Sequence, residues 1–264
     1  MLLRFLAGAA VSAIVSYFTL KKKALTPAAA LESCLMMLIA SVFGGYGVLF
    51  ALVFSFLLVS IAGKLTEDKR LERTQGIHKK HGARDAVQVL VNGIFASITA
   101  ILYYITSDTL CIALYFLSVT ESLADSVASD IGVLSKKPPI DICRFVRVQP
   151  GISGGISLLG TLSAFFCSII MCGVFIIFYG FELRYFIIIA LCPVLGMLID
   201  SIIGSLLQVK YRCDICGKIT EKTEHCGVNT KQVQGINVID NDIVNLMSNG
   251  FSVLLGLLIC SLMT

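Results

Sequence analysis

The chain has 264 residues, of which 56% are hydrophobic and 14% are charged, and its mean hydropathy is +0.88. Soluble domains carry roughly 25% charged residues, so this composition excludes a water-soluble globular fold, a disordered chain and a collagen-like repeat. The net charge of +4 is informative only once the charges are placed along the chain. We therefore expect an integral membrane protein in contact with membrane lipid, and no nucleic-acid partner.

Membrane-spanning helices need about 20 predominantly apolar residues. Seven stretches meet this requirement, at 2–20, 46–63, 86–105, 109–129, 156–179, 185–208 and 243–263. An eighth stretch, 28–43, is short and follows Pro27, a residue that favours the first turn of a helix. It is either a full span or a half-helix packed against its neighbour. The sequence thus predicts a single polytopic membrane domain over 1–264, an all-α helical bundle of about 7–8 spans.

Basic residues are distributed unevenly between the two sides of this bundle. With eight spans, 19 of the 21 Lys and Arg residues fall in four polar segments on one side, and only Arg4 and Arg184 lie opposite. The segments are 21–27, 64–85, 130–155 and 209–242. Because Lys and Arg are retained in the cytoplasm, this side is predicted to be cytoplasmic, with both termini facing outward.

Polar residues enter four of the spans near their cytoplasmic ends, at helical spacing. The four sets are Arg84, Gln88 and Asn92; Glu121, Asp125 and Ser129; Asp200, Gly204 and Gln208; and Asp242, Asn245 and Asn249. Hydrogen bonds between helices explain Asn92 or Asn249 alone equally well. Four coincident sets that carry several carboxylates favour a shared site, because charges inside spans are costly and usually functional.

Carboxylates and amides without an accompanying His or Cys suit a hard cation such as Mg²⁺, which often bridges carboxylates to substrate phosphates. Asp125, Asp200 and Asp242 are the natural ligands, with Asn245 as a helper. Asp130 either binds a second ion or faces solvent.

Basic side chains near these acids are candidates for holding phosphate oxygens. They are Arg84, His78, Lys79, Lys80 and Arg147. For Lys79 and Lys80, a patch that contacts lipid headgroups is an equally good interpretation.

Residues 150–157 read Pro-Gly-Ile-Ser-Gly-Gly-Ile-Ser and precede a predicted helix. Glycines let the backbone approach a ligand, and helix N-termini attract anions. The candidate phosphate contacts are Gly151, Ser153, Gly154 and Gly155. The stretch is not a Walker motif, and a plain flexible loop is the alternative. Its position beside the acidic helix end favours phosphate binding.

Four potential metal ligands cluster in the last polar segment, where Cys213, Cys216, His225 and Cys226 form the pattern C-x2-C-x8-H-C. Such a set suits tetrahedral Zn²⁺, and a reducing cytoplasm permits it. The sequence predicts a small structural zinc knuckle in the loop 209–242. Free thiols in a loop are the alternative.

Five sequence blocks resemble the membrane family that includes plant phytyl-phosphate kinase and animal transmembrane protein 19. They are HGARDAVQVLVNG at 81–93, ADSVASDIG at 124–132, PGISGGISLLG at 150–160, DSIIGSLLQ at 200–208 and DNDIVN at 240–245. The block around Asp125 is also distantly similar to CTP-using dolichol and phytol kinases. The Cys and His cluster is not typical of every member of the family, which indicates that zinc is not essential to the family's chemistry.

The resemblance implies transfer of a phosphoryl group from a nucleotide triphosphate, CTP by analogy, to an isoprenyl phosphate. Asp125 and Asp200 would then bind Mg²⁺. Asp242 and Asn245 would bind the metal or orient the substrate, and Arg84 would neutralise phosphate charge. Gln88 and Asn92 would join the glycine-rich stretch at the nucleotide. The competing classes are a carrier of lipids or small anions, whose polar residues usually lie near the midplane in inverted repeats, and an inactive scaffold.

Overall fold

The computed structural model describes residues 1–74, 76–77 and 82–263, which form eight long helices. They are α1 (Leu2–Lys21), α2 (Pro27–Ile39), α3 (Tyr46–Thr74), α4 (Ala86–Thr106), α5 (Thr109–Gly132), α6 (Leu158–Tyr179), α7 (Leu183–Leu206) and α8 (Asn241–Leu262). A π-helical turn, Ala40–Gly44, lengthens α2 to 18 residues. All eight are then long and apolar enough to cross a membrane, which confirms the predicted polytopic all-α bundle.

Short strands give the polar loops a definite fold. β1 (Ile140–Asp141) and β2 (Gly155–Ile156) form an antiparallel ribbon. β3 (Lys210–Arg212) lies between β4 (Ile219–Thr220) and β7 (Lys231–Gln234) in a three-stranded antiparallel sheet, and β5 (Glu224–His225) pairs with β6 (Val228–Asn229). We call the end of the bundle formed by residues 133–157 and 207–240 the loop face.

Polar side chains immediately before several helices fix where those helices begin. The Asp85 carboxylate accepts a hydrogen bond from the backbone of Gln88, whose own side chain accepts one from the Asp85 N–H, a complete capping box. Ser157 caps α6, and Asp240 caps α8. These interactions satisfy backbone N–H groups that the first helical turn leaves without partners. They set the positions of α4, α6 and α8 at the loop face.

Helix α5 is the centre of the bundle, and α3, α4, α6, α7 and α8 all pack against it. Within its apolar segment of 18 residues, 72% of the residues are buried inside the protein, whereas the share is 17–39% in the other spans. Close packing with α6 depends on Gly160, where an added Cβ would lie 2.6 Å from the carbonyl oxygen of Ala128. Such small residues let helices approach closely in membranes. Functional groups on α5 are therefore surrounded by other helices.

Helix α3 is longer than its predicted span, which ended at residue 63, because its polar end continues to Thr74. Arg73 in this extension donates to the carbonyl oxygens of Val133 and Ser135, at 2.6 and 2.8 Å. Arg70 forms a 2.8 Å ion pair with Asp130, which is only 7% exposed. The structure thus gives Asp130 a protein partner, where the sequence left a second ion or solvent as alternatives.

Membrane orientation gives a direct prediction. Lys69→Cys lies on the α3 extension and Ser107→Cys in the short turn between α4 and α5, and these two positions are at opposite ends of the bundle. In sealed cells, a membrane-impermeant maleimide should label Ser107→Cys, and Lys69→Cys only after permeabilisation. Mass spectrometry of the labelled peptide separates these sites from the native cysteines. Labelling of Lys69→Cys in intact cells would reverse the predicted orientation.

Candidate functional site

A cavity of about 1000 Å³ lies at the loop face, between the ends of the helices and the polar loops. Its wall contains eleven of the residues that the sequence nominated for catalysis and for nucleotide or phosphate binding. They are Arg84, Gln88, Asn92, Asp125, Gly151, Ser153, Gly154, Gly155, Asp200, Asp242 and Asn245. The fold therefore brings together residues from four helices and two loops, and their roles remain predictions.

Arg84 lies just before α4 and not on it, which corrects the expected helical set of Arg84, Gln88 and Asn92. The helix begins at Ala86, and residue 84 instead forms a parallel β-bridge with Leu25. The Arg84 backbone donates to Ala24 at 2.9 Å and accepts from Thr26 at 3.0 Å. The guanidinium lies 3.4 Å from the Ser126 hydroxyl and is close enough to Asp125 for their charges to interact. Arg84 is thus a cation held by the backbone beside the acidic residues.

Three carboxylates reach the cavity from three helices, Asp125 on α5, Asp200 on α7 and Asp242 on α8. Asp125 and Asp200 lie near enough to each other for their like charges to repel. When the Asn245 amide is oriented to satisfy its neighbours, its nitrogen donates to Asp200 Oδ2 at 3.0 Å and to the Asn241 carbonyl at 3.2 Å. Asn245 is therefore placed to orient the Asp200 carboxylate.

Glu121 and Asn249 belong to a buried network that adjoins the cavity wall, so the predicted polar sets on α5 and α8 are each divided between the wall and this network. Glu121 accepts hydrogen bonds from Ser248 and from Asn249, both at 2.8 Å. Asn249 also exchanges hydrogen bonds with the hydroxyl and carbonyl of Ser118. Neither Glu121 nor Asn249 is among the described residues of the cavity wall. For Asn249, hydrogen bonding between helices is therefore the correct interpretation, and the network joins α5 to α8 below the cavity.

The third predicted set also changes, because α7 ends at Leu206 and Gln208 lies beyond it. Gln208 forms a β-bridge with Ile236, and its side chain donates to Glu221 at 2.8 Å. It still lines the cavity, but from the loop.

Glycines in the stretch 150–157 serve both backbone conformation and close packing. Gly151 and Gly154 have φ angles of +90° and +94°, in the region that other residues rarely adopt. An added Cβ at Gly154 would lie 2.6 Å from the Ser205 side chain on α7. Strand β2 separates this turn from α6, which begins at Leu158, so the turn does not lead directly into the helix as expected.

Two charged residues that the sequence did not single out hold this glycine turn in place. Glu221 accepts a hydrogen bond from the Ser153 hydroxyl at 2.9 Å, and Lys210 donates to the Ser153 carbonyl at 2.8 Å. Burial lowers the pKa of Lys210 from its ordinary value. These contacts join the loop 209–242 to the turn, so the alternative of an unrestrained loop does not describe 150–157.

Asp141 provides a second anchor for the same loop. The Ser205 hydroxyl donates to Asp141 at 2.7 Å, and the backbone N–H groups of Cys143 and Arg144 donate at 3.0 and 2.9 Å. Burial alone would raise the pKa of Asp141, but these hydrogen bonds outweigh it and hold the pKa below its ordinary value. Asp141 is therefore a charged link between β1 and the end of α7.

The predicted zinc ligands converge at the tips of two hairpins. The three sulfur atoms and one ring nitrogen of Cys213, Cys216, His225 and Cys226 lie within 4.8 Å of one another. Ligands at tetrahedral Zn–S distances are separated by roughly 3.8 Å, so this donor set fits zinc. The backbone N–H of Cys216 lowers the pKa of the Cys213 thiol to about 6, which favours the thiolate that metals bind. The side-chain hydrogen bond with Cys216 raises the pKa of the Cys226 thiol to about 11, so Cys226 would release its proton on binding a metal.

Most of the basic candidates are not part of the cavity as described. His78, Lys79 and Lys80 lie outside the described residues, and Arg147 bridges Ile140 in the loop without joining the described cavity wall. The described wall contains six carboxylate side chains and four Lys or Arg side chains. Among the described residues of the wall, acidic side chains therefore outnumber basic ones.

The fold and the cavity define a multi-pass helical membrane protein with one large polar site at the loop face. The family model described as integral membrane protein DUF92 matches residues 10–253, and the chain belongs to this family. The family membership indicated by the sequence blocks is thereby confirmed.

Two relatives cover most of the chain. Protein PGR of Arabidopsis thaliana is 29% identical over 271 residues, which is 93% of this chain and 92% of the relative. An uncharacterized membrane protein of Methanocaldococcus jannaschii is 28% identical over 214 residues, 79% of this chain and 85% of the relative. No solved structure matches the chain significantly.

Proposed function

We propose that this protein is a Mg²⁺-dependent phosphotransferase that converts an isoprenyl monophosphate to the diphosphate, with a nucleotide triphosphate, CTP by analogy, as the donor. One observation carries the proposal, namely that eleven of the nominated residues line one cavity at the ends of the spans. Ligand pockets typically measure about 300–1,000 Å³. A cavity of about 1000 Å³ suits two phosphorylated ligands side by side.

Asp125, Asp200 and Asp242 supply the oxygen donors that Mg²⁺ prefers. When bound, Mg²⁺ would neutralise phosphate charge and draw the donor and acceptor phosphates together. Asn245 holds the Asp200 carboxylate through its 3.0 Å hydrogen bond. Arg84, fixed by its backbone bridge to Leu25, offers a permanent positive charge to the acceptor phosphate.

Phosphoryl transfer needs no covalent intermediate with the protein. An oxygen of the isoprenyl monophosphate attacks the γ-phosphorus, the bond to the bridging oxygen breaks, and the nucleoside diphosphate leaves with that oxygen. The chain's contribution is positioning and charge neutralisation, which account for most catalysis of this kind. Gly151 and Gly154 have positive φ angles, and the turn that they form would let the backbone lie close to the donor phosphates.

The direct test incubates purified protein with γ-labelled CTP, Mg²⁺ and a panel of isoprenyl monophosphates. We expect labelled isoprenyl diphosphate to form only when both Mg²⁺ and the nucleotide are present. Parallel reactions with ATP, GTP or UTP in place of CTP establish which donor is used. A carrier of lipids or small anions would instead move its cargo across vesicles without consuming nucleotide. Absence of labelled product with every acceptor and donor would reject the kinase and leave the carrier or an inactive scaffold.

A further inference from the structure

A second, apolar pocket of about 120 Å³ lies among α2, α3, α4 and α5. Its wall is mainly hydrocarbon and thioether, with Met36 and Met37 from α2, Leu52 and Val53 from α3, Val89 from α4 and Leu123 from α5. We call it the tail pocket. It lies within the spans, whereas the large cavity lies at their ends.

The tail pocket and the large cavity share part of their walls. Arg84, Gln88, Asn92 and Ser126 line both. The boundary between them is therefore polar, and Arg84 is its one positively charged residue among those described. A ligand that crosses this boundary would place an anionic group beside Arg84 and an apolar chain in the tail pocket.

We propose that the tail pocket binds the part of the hydrocarbon chain nearest the phosphate of the isoprenyl phosphate, while the phosphate contacts Arg84. This proposal rests on the proposed function, because it assigns two neighbouring parts of that substrate to two adjoining spaces. The chain already lies in the bilayer, so the pocket selects it by packing, and the phosphate gains a charge-assisted hydrogen bond from Arg84. A pocket of about 120 Å³ is smaller than a typical ligand pocket, so the rest of the chain extends beyond it.

Methionine adapts the wall to a branched chain. Met36 also fills the space that Gly93 leaves on α4, where an added Cβ would lie 2.4 Å from the Met36 sulfur. Unbranched thioether side chains change conformation readily and suit irregular apolar ligands. The Met36 side chain therefore has Gly93 on one side and the tail pocket on the other.

Photo-crosslinking tests the location without requiring turnover. Farnesyl phosphate with a diazirine in the isoprene unit next to the phosphate should label peptides from α2 and α3 that contain Met36, Met37 or Val53, as read by mass spectrometry. Unlabelled farnesyl phosphate should compete, and excess phosphatidylglycerol should not. Labels confined to outward-facing residues, or competition by phosphatidylglycerol, would overturn the tail pocket whether or not the protein is a kinase.

Kinetics supply the second measurement. Val53→Phe fills the pocket and should raise KM for farnesyl phosphate about tenfold with KM for the nucleotide unchanged, since apolar pockets discriminate by roughly 10–200-fold. The matched control is Val87→Phe, because Val87 is 52% exposed on α4 and outside both walls as described. An unchanged farnesyl phosphate KM in folded Val53→Phe would overturn the proposal. If Val53→Phe does not fold, crosslinking of the wild-type protein alone decides whether the tail pocket binds the chain. If no turnover is found, crosslinking still tests this proposal separately from the proposed function.

Discussion

Replacing Asp125 with asparagine should lower kcat/KM for isoprenyl diphosphate formation by about 100-fold or more. Such a loss corresponds to about 2.7 kcal/mol of transition-state stabilisation. Asparagine keeps the size of the side chain but removes the charge that Mg²⁺ needs. The fold should survive, because Asp125 is only half-buried in the cavity wall and a carboxylate near lipid is itself costly.

Asp200→Asn should behave in the same way. Its new side-chain oxygen can still accept the hydrogen bond from Asn245, so the geometry of α7 and α8 is preserved while the charge is lost. If both carboxylates serve one metal, the double variant should lose clearly less than the sum of the two single losses. Strict additivity would place the two residues in independent roles.

A matched control is available on the same helix as Asp125. Asp108 caps the other end of α5 and is exposed, and asparagine is an equally good cap, so Asp108→Asn should leave turnover unchanged. Size-exclusion profiles and thermal unfolding check that all variants are folded. Full activity in Asp125→Asn would remove this residue from the metal site.

The positions of the spans could be predicted from the sequence because they depend on local properties. Apolar length and helix-starting residues such as Pro27 are read directly from the chain, and eight candidate spans agree with eight long helices. Residues such as Asp125, Asp200 and Asp242 stood out because charged groups in apolar segments are costly. The order of the spans predicts that these residues lie at a similar depth in the membrane. In the structure, all three line one cavity at the ends of the helices.

Features that depend on contacts far apart in sequence could not be predicted in this way. Helical spacing placed Glu121 in the same set as Asp125, yet one helical turn separates the cavity wall from the network with Asn249. Arg84 has the spacing of the helical set, but Asp85 caps α4 and so residue 84 lies outside the helix. Glu221 lies 68 positions from Ser153, and no local pattern indicates their hydrogen bond.

Replacing one of the zinc ligands should have a large effect on the metal content of the protein. Purified protein should carry about one Zn²⁺ per chain by elemental analysis, and Cys213→Ser should reduce this to near zero, since three remaining ligands bind far more weakly than a tetrahedral set. Metal loss should also speed proteolysis within 209–240, because small structural zinc sites supply much of the folding energy of their loops. Cys143→Ser is the matched control, since Cys143 lies in the loop before α6 and outside the cluster.

Loss of this zinc should also reach the cavity, because the loop that it folds contacts both the glycine turn and the end of α3. Glu221 and Lys210 hold Ser153, and the Thr220 hydroxyl donates to the carbonyls of Gly76 and Ile77, at 2.7 and 2.9 Å. A loosened loop would release these contacts while leaving Asp125 and Asp200 in place. We therefore expect Cys213→Ser to raise KM for the nucleotide more than it lowers kcat. Metal-free protein with full activity and an unchanged digest would show instead that these thiols are free and that the loop folds by its hydrogen bonds alone.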